Sequence, residues 1–354
     1  ARWPEAPGAL AICGQVLGPL PSVVIGWSYW VCTWSSNAVL AVTAARYLAS
    51  LIHGHTASDM ESAVNASVIL WSITLLNLRG QKAAGGFQVL TTLLKLVPLL
   101  AVLIIIAQVA LVAPDRFGAS PLPAFAAGEM TGAVTLAFFA LIGFETASLV
   151  AERVRDPARN VVRATLWGVG VTLAIYLVVS MGIMLLVPSA TLAEAGAPLA
   201  LFAEQAWGRW AGVAVALFAS ISAIGCLNGL ILLQDEVPLT MVRGGELPRW
   251  VAPVNKHDVA ALPLCMGTLL ACGLVLLSAT RSGADLLDFM LRLTTAATIW
   301  FYIGVCATAL VSRIAPPVAL LGLAFCAWVL YGAGLEAGLL GVALMVPVLP
   351  LYWL

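Results

Sequence analysis

The sequence predicts an all-α membrane protein, a polytopic bundle of transmembrane helices, from its composition and from the length of its apolar runs. Hydrophobic residues make up 62% of the 354 residues and charged residues only 10%, whereas a soluble domain carries roughly 25% charged residues. The apolar runs reach about 20 residues, the length with which a helix crosses a hydrocarbon core of roughly 30 Å. Backbone groups in lipid must be bonded within the protein, and the alternating strands of a barrel do not occur, so these runs are predicted to be helices.

The same composition disfavours several other classes of protein. The formal net charge is zero, so no basic surface for nucleic acid is expected. The cysteines are scattered without a CxxC pair and the histidines form no HExxH motif, so neither a metal site nor a cofactor is predicted. An enzyme is disfavoured as well, because the ionisable residues form no cluster along the chain that could carry chemistry.

Ten spans are predicted in order along the chain, and turn residues such as Gly80 and Pro157 separate them. The spans cover residues 20–50, 62–78, 85–113, 129–150, 160–187, 208–238, 261–280, 284–311, 316–332 and 335–354. The connection over residues 188–207 is long and acidic, so a short helix outside the membrane is expected there.

Lysine and arginine residues fall mostly on one side of these spans when the N-terminus is placed in the cytoplasm. The cytoplasmic segments then hold Arg2, Arg79, Lys82, Arg153, Arg155, Arg159, Arg163, Arg243, Arg249, Lys256 and Arg313. The opposite side holds only Arg46, Arg116, Arg209 and Arg281. Because loops rich in these residues stay in the cytoplasm, both termini are predicted to be cytoplasmic, with the bundle in a cell inner or plasma membrane.

Two basic residues, Lys95 and Arg292, lie inside predicted spans. A charge near the bilayer centre costs at least about 2.5–3.5 kcal/mol, so such a residue usually faces a partner or a water-filled path. Arg292 is predicted to pair with Asp288, one helical turn earlier on the same face.

The fourth span contains two residues that a plain lipid-facing helix would not need. Gly143 weakens a helix, and the carboxylate of Glu145 requires a reason to lie in the membrane. Pro157 marks a break before the next span. Discontinuous helices of this kind present free backbone groups to a substrate near the bilayer midplane, and such groups suit a zwitterionic amino acid.

The segment IGFETASLVAERVRDPARNVVRAT, which begins at Ile142, resembles the sixth helix and following loop of amino acid–polyamine–organocation (APC) permeases. Other stretches agree with this resemblance. Leu17 to Ala38 is similar to the third helix of the arginine/agmatine antiporter group, and Phe87 to Leu100 to the fifth. Gly244 to Leu264 is similar to the loop between the eighth and ninth helices.

This resemblance implies a leucine-transporter-type fold of two inverted five-helix repeats followed by two further helices. The chain would then be one transport domain over residues 1–354. Residues 1–113 would hold family helices three to five, residues 129–311 helices six to ten, and residues 316–354 helices eleven and twelve. Family helices one and two are expected to be missing from this sequence, as a fragment, a gene-model truncation or a real loss.

The resemblance also implies a substrate site at the broken helix. Backbone groups of Ala140, Leu141, Ile142 and Gly143 are expected to contact the substrate, and Phe139 is expected to lie over it as an aromatic gate. Phe139 stands where the antiporter group prefers tryptophan, and Ala140 replaces a small hydroxyl residue.

Three further positions match pocket residues of the antiporter group. Thr33 and Asn37 share one helical face of the first span, and Cys32 lies beside them in the expected pocket. Polar contact between helices is the alternative role for these residues. Leu230 stands where arginine-specific members carry a tryptophan, so a surface that binds cations is lost. These differences favour a neutral, apolar amino acid over arginine or agmatine.

Two residues are assigned to proton coupling. Glu145 is shared with the family, and burial favours the protonated form of a carboxyl group, although a purely structural hydrogen bond is an equal alternative. Lys95 stands where several proton-coupled or sodium-independent members carry a lysine, which would replace a bound ion by a fixed cation and serve coupling or conformational locking. A structural ion pair is the alternative.

Three functions follow from these assignments. The first is sodium-independent, proton-coupled transport of an amino acid by alternating access. The second is exchange of an amino acid for a metabolite, and the third is a truncated membrane protein that does not transport. The expected partners are the amino acid, the proton and the lipid bilayer, and a homodimer is left open.

Overall fold

A computed structural model describes residues 9–53, 58–117, 127–146, 156–279 and 283–353. Within these ranges the chain is helical, and its single β-bridge joins Val254 to Ala260. The helices are α1 (Ala9–Leu17), α2 (Pro19–His53), α3 (Asp59–Leu78), α4 (Gln81–Leu94), α5 (Leu96–Val112), α6 (Ala127–Phe139), α7 (Pro157–Leu186), α8 (Ser189–Glu194), α9 (Pro198–Trp207), α10 (Arg209–Arg243), α11 (Ala261–Ser278), α12 (Gly283–Val311), α13 (Pro316–Ala333), α14 (Leu335–Ala343) and α15 (Val348–Trp353). These helices confirm the predicted all-α class.

Seven segments in the described ranges are long and apolar enough to cross a membrane. They are Asp59–Leu78, Gly86–Val112, Arg159–Leu186, Arg209–Arg243, Asp285–Val311, Pro316–Ala333 and Leu335–Trp353. Each corresponds to one of the ten predicted spans. The prediction for 261–280 meets a shorter apolar helix, Ala261–Leu277, and the predictions for 20–50 and 129–150 meet α2 and α6.

The helix α2 has enough length, at 35 residues, but contains many polar side chains. It lies at the centre of the described bundle, where it contacts α3, α10, α11 and α12, and most of its residues are buried. A helix enclosed by other helices does not face lipid and can hold polar groups that bond to its neighbours. The outer helix α7 shows the opposite pattern, because it exposes apolar side chains such as Leu166 and Trp167.

The predicted span over residues 85–113 is interrupted at Lys95, which separates α4 from α5. Pro98 explains the interruption, because proline has no N–H to donate and its ring collides with the carbonyl four residues earlier, that of Leu94. Gly225 of α10 lets α4 approach closely, since a Cβ there would lie 2.5 Å from the Cβ of Thr91.

One further segment differs from its predicted form. The connection over residues 188–207 holds two short helices, α8 and α9, rather than one.

The predicted pairing of Arg292 with Asp288 is confirmed, with 2.6 Å between Nε and Oδ2, and Arg292 also donates to the carbonyl of Gly332 at 2.6 Å. This arginine therefore fastens α12 to α13.

Candidate functional site

The fourth predicted span is interrupted after Phe139, where α6 ends. The amides of Ala140, Leu141 and Ile142 donate to carbonyls three residues earlier, at 3.1, 2.9 and 3.1 Å. Gly143 adopts a φ of 118°, a conformation open to glycine and strained for other residues. Regular i to i−4 bonding therefore stops at this point. Residues 147–155, which carry part of the family motif, lie outside the described residues.

The interruption leaves three backbone carbonyls without a helical donor. In the described part of the chain, no backbone amide donates to the carbonyls of Ala140, Leu141 or Ile142. Ala140 is exposed, and Leu141 and Ile142 are half-buried. Carbonyls without a backbone donor are contacts that an ammonium group can use.

The carboxylate of Glu145 folds back onto this interruption and is 6% exposed. The backbone N–H of Gly143 donates to Oε2 at 3.0 Å. The hydroxyl of Tyr29 on α2 donates to Oε1 at 3.0 Å, and that of Tyr302 on α12 donates to Oε2 at 2.6 Å. Glu145 thus ties the broken helix to two neighbouring helices, α2 and α12, through hydrogen bonds.

Aromatic rings surround this carboxylate. Phe301 lies 5.0 Å from the ring of Tyr29, and Phe138 and Phe144 lie 5.3 and 5.8 Å from the ring of Tyr302. Ring contacts at these distances restrict the tyrosines, so both hydroxyl groups remain directed at Glu145.

The residues assigned on α2 are fully enclosed. Cys32, Thr33 and Asn37 are 1%, 0% and 0% exposed. The hydroxyl of Thr33 donates to the carbonyl of Trp30 at 2.7 Å, within its own helix. Asn37 uses its Nδ2 to donate to Gln234 of α10 at 2.9 Å. Of these three residues, Asn37 has a side-chain oxygen without a partner among the described residues.

Phe139 and Leu230 are both half-buried. Phe139 packs on a buried apolar cluster that includes Ala38, Leu227 and Ile231, from α2 and α10. Leu230 lies on α10, directly before Ile231. The cluster on which Phe139 packs thus includes Ala38, the chain neighbour of Asn37.

The contacts of Lys95 differ from those of Glu145. It is half-buried, and no carboxylate in the described ranges forms an ion pair with it. Its neighbour is Cys226 of α10, with which it interacts electrostatically. One and two turns before Lys95, Thr91 packs on Gly225 and Gln88 accepts a hydrogen bond from Asn228. Lys95 thus ends a polar face of α4 that is turned to α10.

Sequence reasoning missed three residues of this site, namely Tyr29, Tyr302 and Gln234. Tyr29 precedes Thr33 by one helical turn and shares its face, which is a usable signal. Tyr302 and Gln234 carry no local signal, because their partners lie on other helices. Within the described residues, no group of three or more histidine, cysteine or acidic side chains could hold a metal ion.

Comparison with known proteins gives one family and several relatives. The family model described as "Amino acid permease" matches residues 1–352. An arginine/ornithine antiporter of Latilactobacillus sakei is 27% identical over 318 residues, which are 86% of this chain and 66% of that protein. A cadaverine/lysine antiporter of Escherichia coli is 24% identical over 318 residues, 86% of this chain and 69% of that protein.

A third relative, an uncharacterized transporter of Mycobacterium tuberculosis, is 28% identical over 264 residues. The match covers 73% of this chain and 56% of that protein. This chain therefore spans little more than half the length of the relative.

Proposed function

The chain belongs to the amino acid permease family, and we propose that it carries a neutral amino acid across the membrane by alternating access, coupled to protons and independent of sodium. The family consists of transport proteins rather than enzymes, which confirms the non-enzymatic class predicted from the sequence. The observation that supports the finer proposal is the interrupted helix after Phe139, with its unused carbonyls beside a buried carboxylate.

The proposed binding mode starts from these carbonyls. The ammonium of the substrate donates to the carbonyls of Ala140, Leu141 and Ile142, which the absence of helical bonding leaves available. Glu145 already accepts hydrogen bonds from the Tyr29 and Tyr302 hydroxyls, so it shapes the site rather than contacting the substrate directly. The substrate side chain then extends toward Phe139 and the α2–α10 contact.

Neutrality of the side chain rests on what surrounds it. Phe139, Leu230 and the cluster on which Phe139 packs are aromatic or aliphatic, so a cationic side chain there would lie among apolar groups. An uncompensated charge in an apolar pocket costs several kcal/mol by typical estimates. A neutral side chain avoids this cost.

Exchange is a second candidate function, because two of the relatives are named antiporters. An exchanger needs no coupling ion, since the return of the second substrate resets the protein. In that case Lys95 would stabilise one conformation rather than carry a proton.

The membrane arrangement belongs to the proposal too. The distribution of lysine and arginine favours a bacterial inner or other plasma membrane with both termini cytoplasmic. A fluorescent protein fused to the C-terminus fluoresces only in the cytoplasm in this arrangement, and loss of fluorescence with normal expression contradicts it.

Uptake into proteoliposomes tests the function directly, with the protein expressed from its complete reading frame. We expect accumulation of labelled neutral amino acids when the lumen is alkaline, unchanged when potassium replaces sodium. Counterflow that persists without any gradient, together with no proton-driven accumulation, would favour exchange. If neither uptake nor counterflow of any amino acid occurs, the transport proposal is wrong.

A further inference from the structure

Gln234 is a fully buried amide at the point where α2, α10 and α11 meet. Its Nε2 donates to the carbonyl of Leu264 at 2.7 Å and lies 3.4 Å from the hydroxyl of Thr268, both on α11. Its Oε1 accepts from Nδ2 of Asn37 at 2.9 Å. Gly267 makes room for this side chain, since a Cβ there would lie 2.5 Å from Nε2 of Gln234.

The backbone of Gln234 is held as firmly as its side chain. Pro238 lies four residues later within α10 and has no N–H, so the carbonyl of Gln234 lacks its helical donor. The indole N–H of Trp30 donates to this carbonyl at 3.1 Å instead. Gln234 is therefore fixed at both ends by hydrogen bonds to α2 and α11.

These bonds determine which end of the Asn37 amide is free. A backbone carbonyl only accepts, so Leu264 requires the nitrogen end of Gln234 and leaves the oxygen end for Asn37. That oxygen in turn requires the nitrogen end of Asn37. The remaining atom, Oδ1 of Asn37, is fully buried and has no partner in the part of the chain that the structure describes.

We propose that Gln234 is a positioning residue that orients Asn37 so that its oxygen accepts a hydrogen bond from the side chain of the substrate. The substrate is accordingly a neutral amino acid with a hydroxyl or amide N–H in its side chain, not an apolar one. This inference rests on the proposed transport function and replaces the apolar preference expected from the sequence.

The position of Asn37 assigns it to the side chain rather than to the substrate's ammonium. Tyr29 bonds to Glu145 beside the interrupted helix, and Asn37 lies eight residues further along the same face of α2, about 12 Å along the helix axis. Its neighbour Ala38 belongs to the cluster on which Phe139 packs. Asn37 is thus at the end of the site where the side chain would extend.

Matched pairs of competitors test this inference. The pairs are threonine with valine, asparagine with leucine, and glutamine with methionine. The two members of a pair have similar shapes, and only the side chain of the first member donates a hydrogen bond. In proteoliposomes, we expect the donor member of at least one pair to inhibit uptake about ten-fold more strongly than its apolar partner. If amino acids are transported but no donor member is preferred, the inference is wrong while the proposed function stands.

Variants separate positioning from simple stabilisation. Asn37→Leu removes the acceptor, and Gln234→Met frees the Asn37 amide to turn. In both variants the ratio of inhibition by the two members of a pair should therefore fall close to one. Gln234→Glu presents an acceptor oxygen to Asn37 in either charge state and should keep the preference, even if the protein is less stable. Equal loss of preference in Gln234→Glu and Gln234→Met would contradict a positioning role.

A control within the same hydrogen-bond network is Thr74→Val. The Thr74 hydroxyl bonds to that of Thr268 at 2.7 Å and does not touch Asn37 or Gln234. We expect this variant to lose some stability and to keep the full preference within the pair. Loss of preference in Thr74→Val would mean that any disturbance of the network has the same effect, which overturns the specific role of Gln234.

Discussion

Glu145 and Lys95, the two residues assigned to proton coupling, have opposite surroundings. Glu145 is buried and accepts from two tyrosine hydroxyls and a backbone amide. Lys95 is half-buried at a helix interruption and has no acidic partner in the described ranges. Both interruptions come from residues that disrupt helices, Gly143 in one case and Pro98 in the other.

The difference suggests a division of roles. The hydrogen bonds of Glu145 connect the broken helix to α2 and α12, so we expect this residue to maintain the interruption. Lys95 forms no ion pair with an acidic residue in the described ranges, so we expect its replacement to affect coupling rather than the stability of the fold. The following predictions test this division, from the largest effect to the smallest.

Replacing Glu145 is expected to have the largest effect. Glu145→Ala leaves the hydroxyl of Tyr302 without its acceptor and that of Tyr29 with only the Thr146 hydroxyl at 3.4 Å. This should lower the free energy of unfolding by about 3 kcal/mol or more and abolish transport. Glu145→Gln retains one acceptor oxygen and should lose less. Thermal unfolding in detergent and uptake in proteoliposomes measure the two effects, with Glu129→Ala, an exposed position on α6, as the control.

Replacing Lys95 should affect coupling far more than stability. Lys95→Met breaks no ion pair, so the free energy of unfolding should change by less than about 1 kcal/mol. Proton-driven accumulation should be lost while counterflow persists, because counterflow needs no net proton movement. Uptake with and without a pH gradient measures this, with Lys256→Met in an exposed loop as the control. Full proton-driven accumulation by Lys95→Met would contradict the proposed division of roles between Glu145 and Lys95.

Two glycine substitutions distinguish backbone strain at Gly143 from close packing at Gly225, where α10 contacts α4. No atom lies within 4 Å of a Cβ at Gly143, so Gly143→Ala has only backbone strain, about 1–3 kcal/mol, and should impair transport. Gly225→Ala collides with Thr91, so its cost of about 1–3 kcal/mol arises from separating α4 and α10. Thr91→Gly should relieve the second defect and leave the first unchanged, as thermal unfolding of the double variants would show.

The sequence was enough to predict most helices and the interruption at Gly143, because a glycine and a carboxylate in an apolar run are local signals. The interruption at Lys95 was also readable, since Pro98 lies three residues later, but it was overlooked. The donors of Glu145 were not predictable, because Tyr29 and Tyr302 are far apart in the chain and meet only through packing. The same holds for the contact between Asn37 and Gln234.

An acidic residue in a loop, Glu246, differs from both Glu145 and Lys95. It is half-buried in the loop after α10, outside the membrane-spanning helices, and its Oε1 accepts from the hydroxyl of Ser22 on α2 at 2.5 Å. Burial raises the pKa of the Glu246 carboxyl above its usual value of 4.5, and the hydrogen bond from Ser22 offsets part of this rise. The Glu246 carboxyl thus has fewer donors than the carboxyl of Glu145.

The raised pKa of Glu246 predicts a small pH dependence of stability. The folded protein binds this proton more tightly than the unfolded chain, so the contribution to stability is fully present below the unfolded pKa and is lost as the pH rises through the folded one. Glu246→Gln should therefore match the parent protein near pH 4.5 and exceed it in melting temperature near neutral pH. Ser22→Ala should widen that gap, because the charged carboxyl loses its donor. Thermal unfolding across this pH range checks both, with Glu129→Gln as the control. A Glu246→Gln variant that is less stable at neutral pH would show that the charged form is the favoured one, and that one hydroxyl donor suffices.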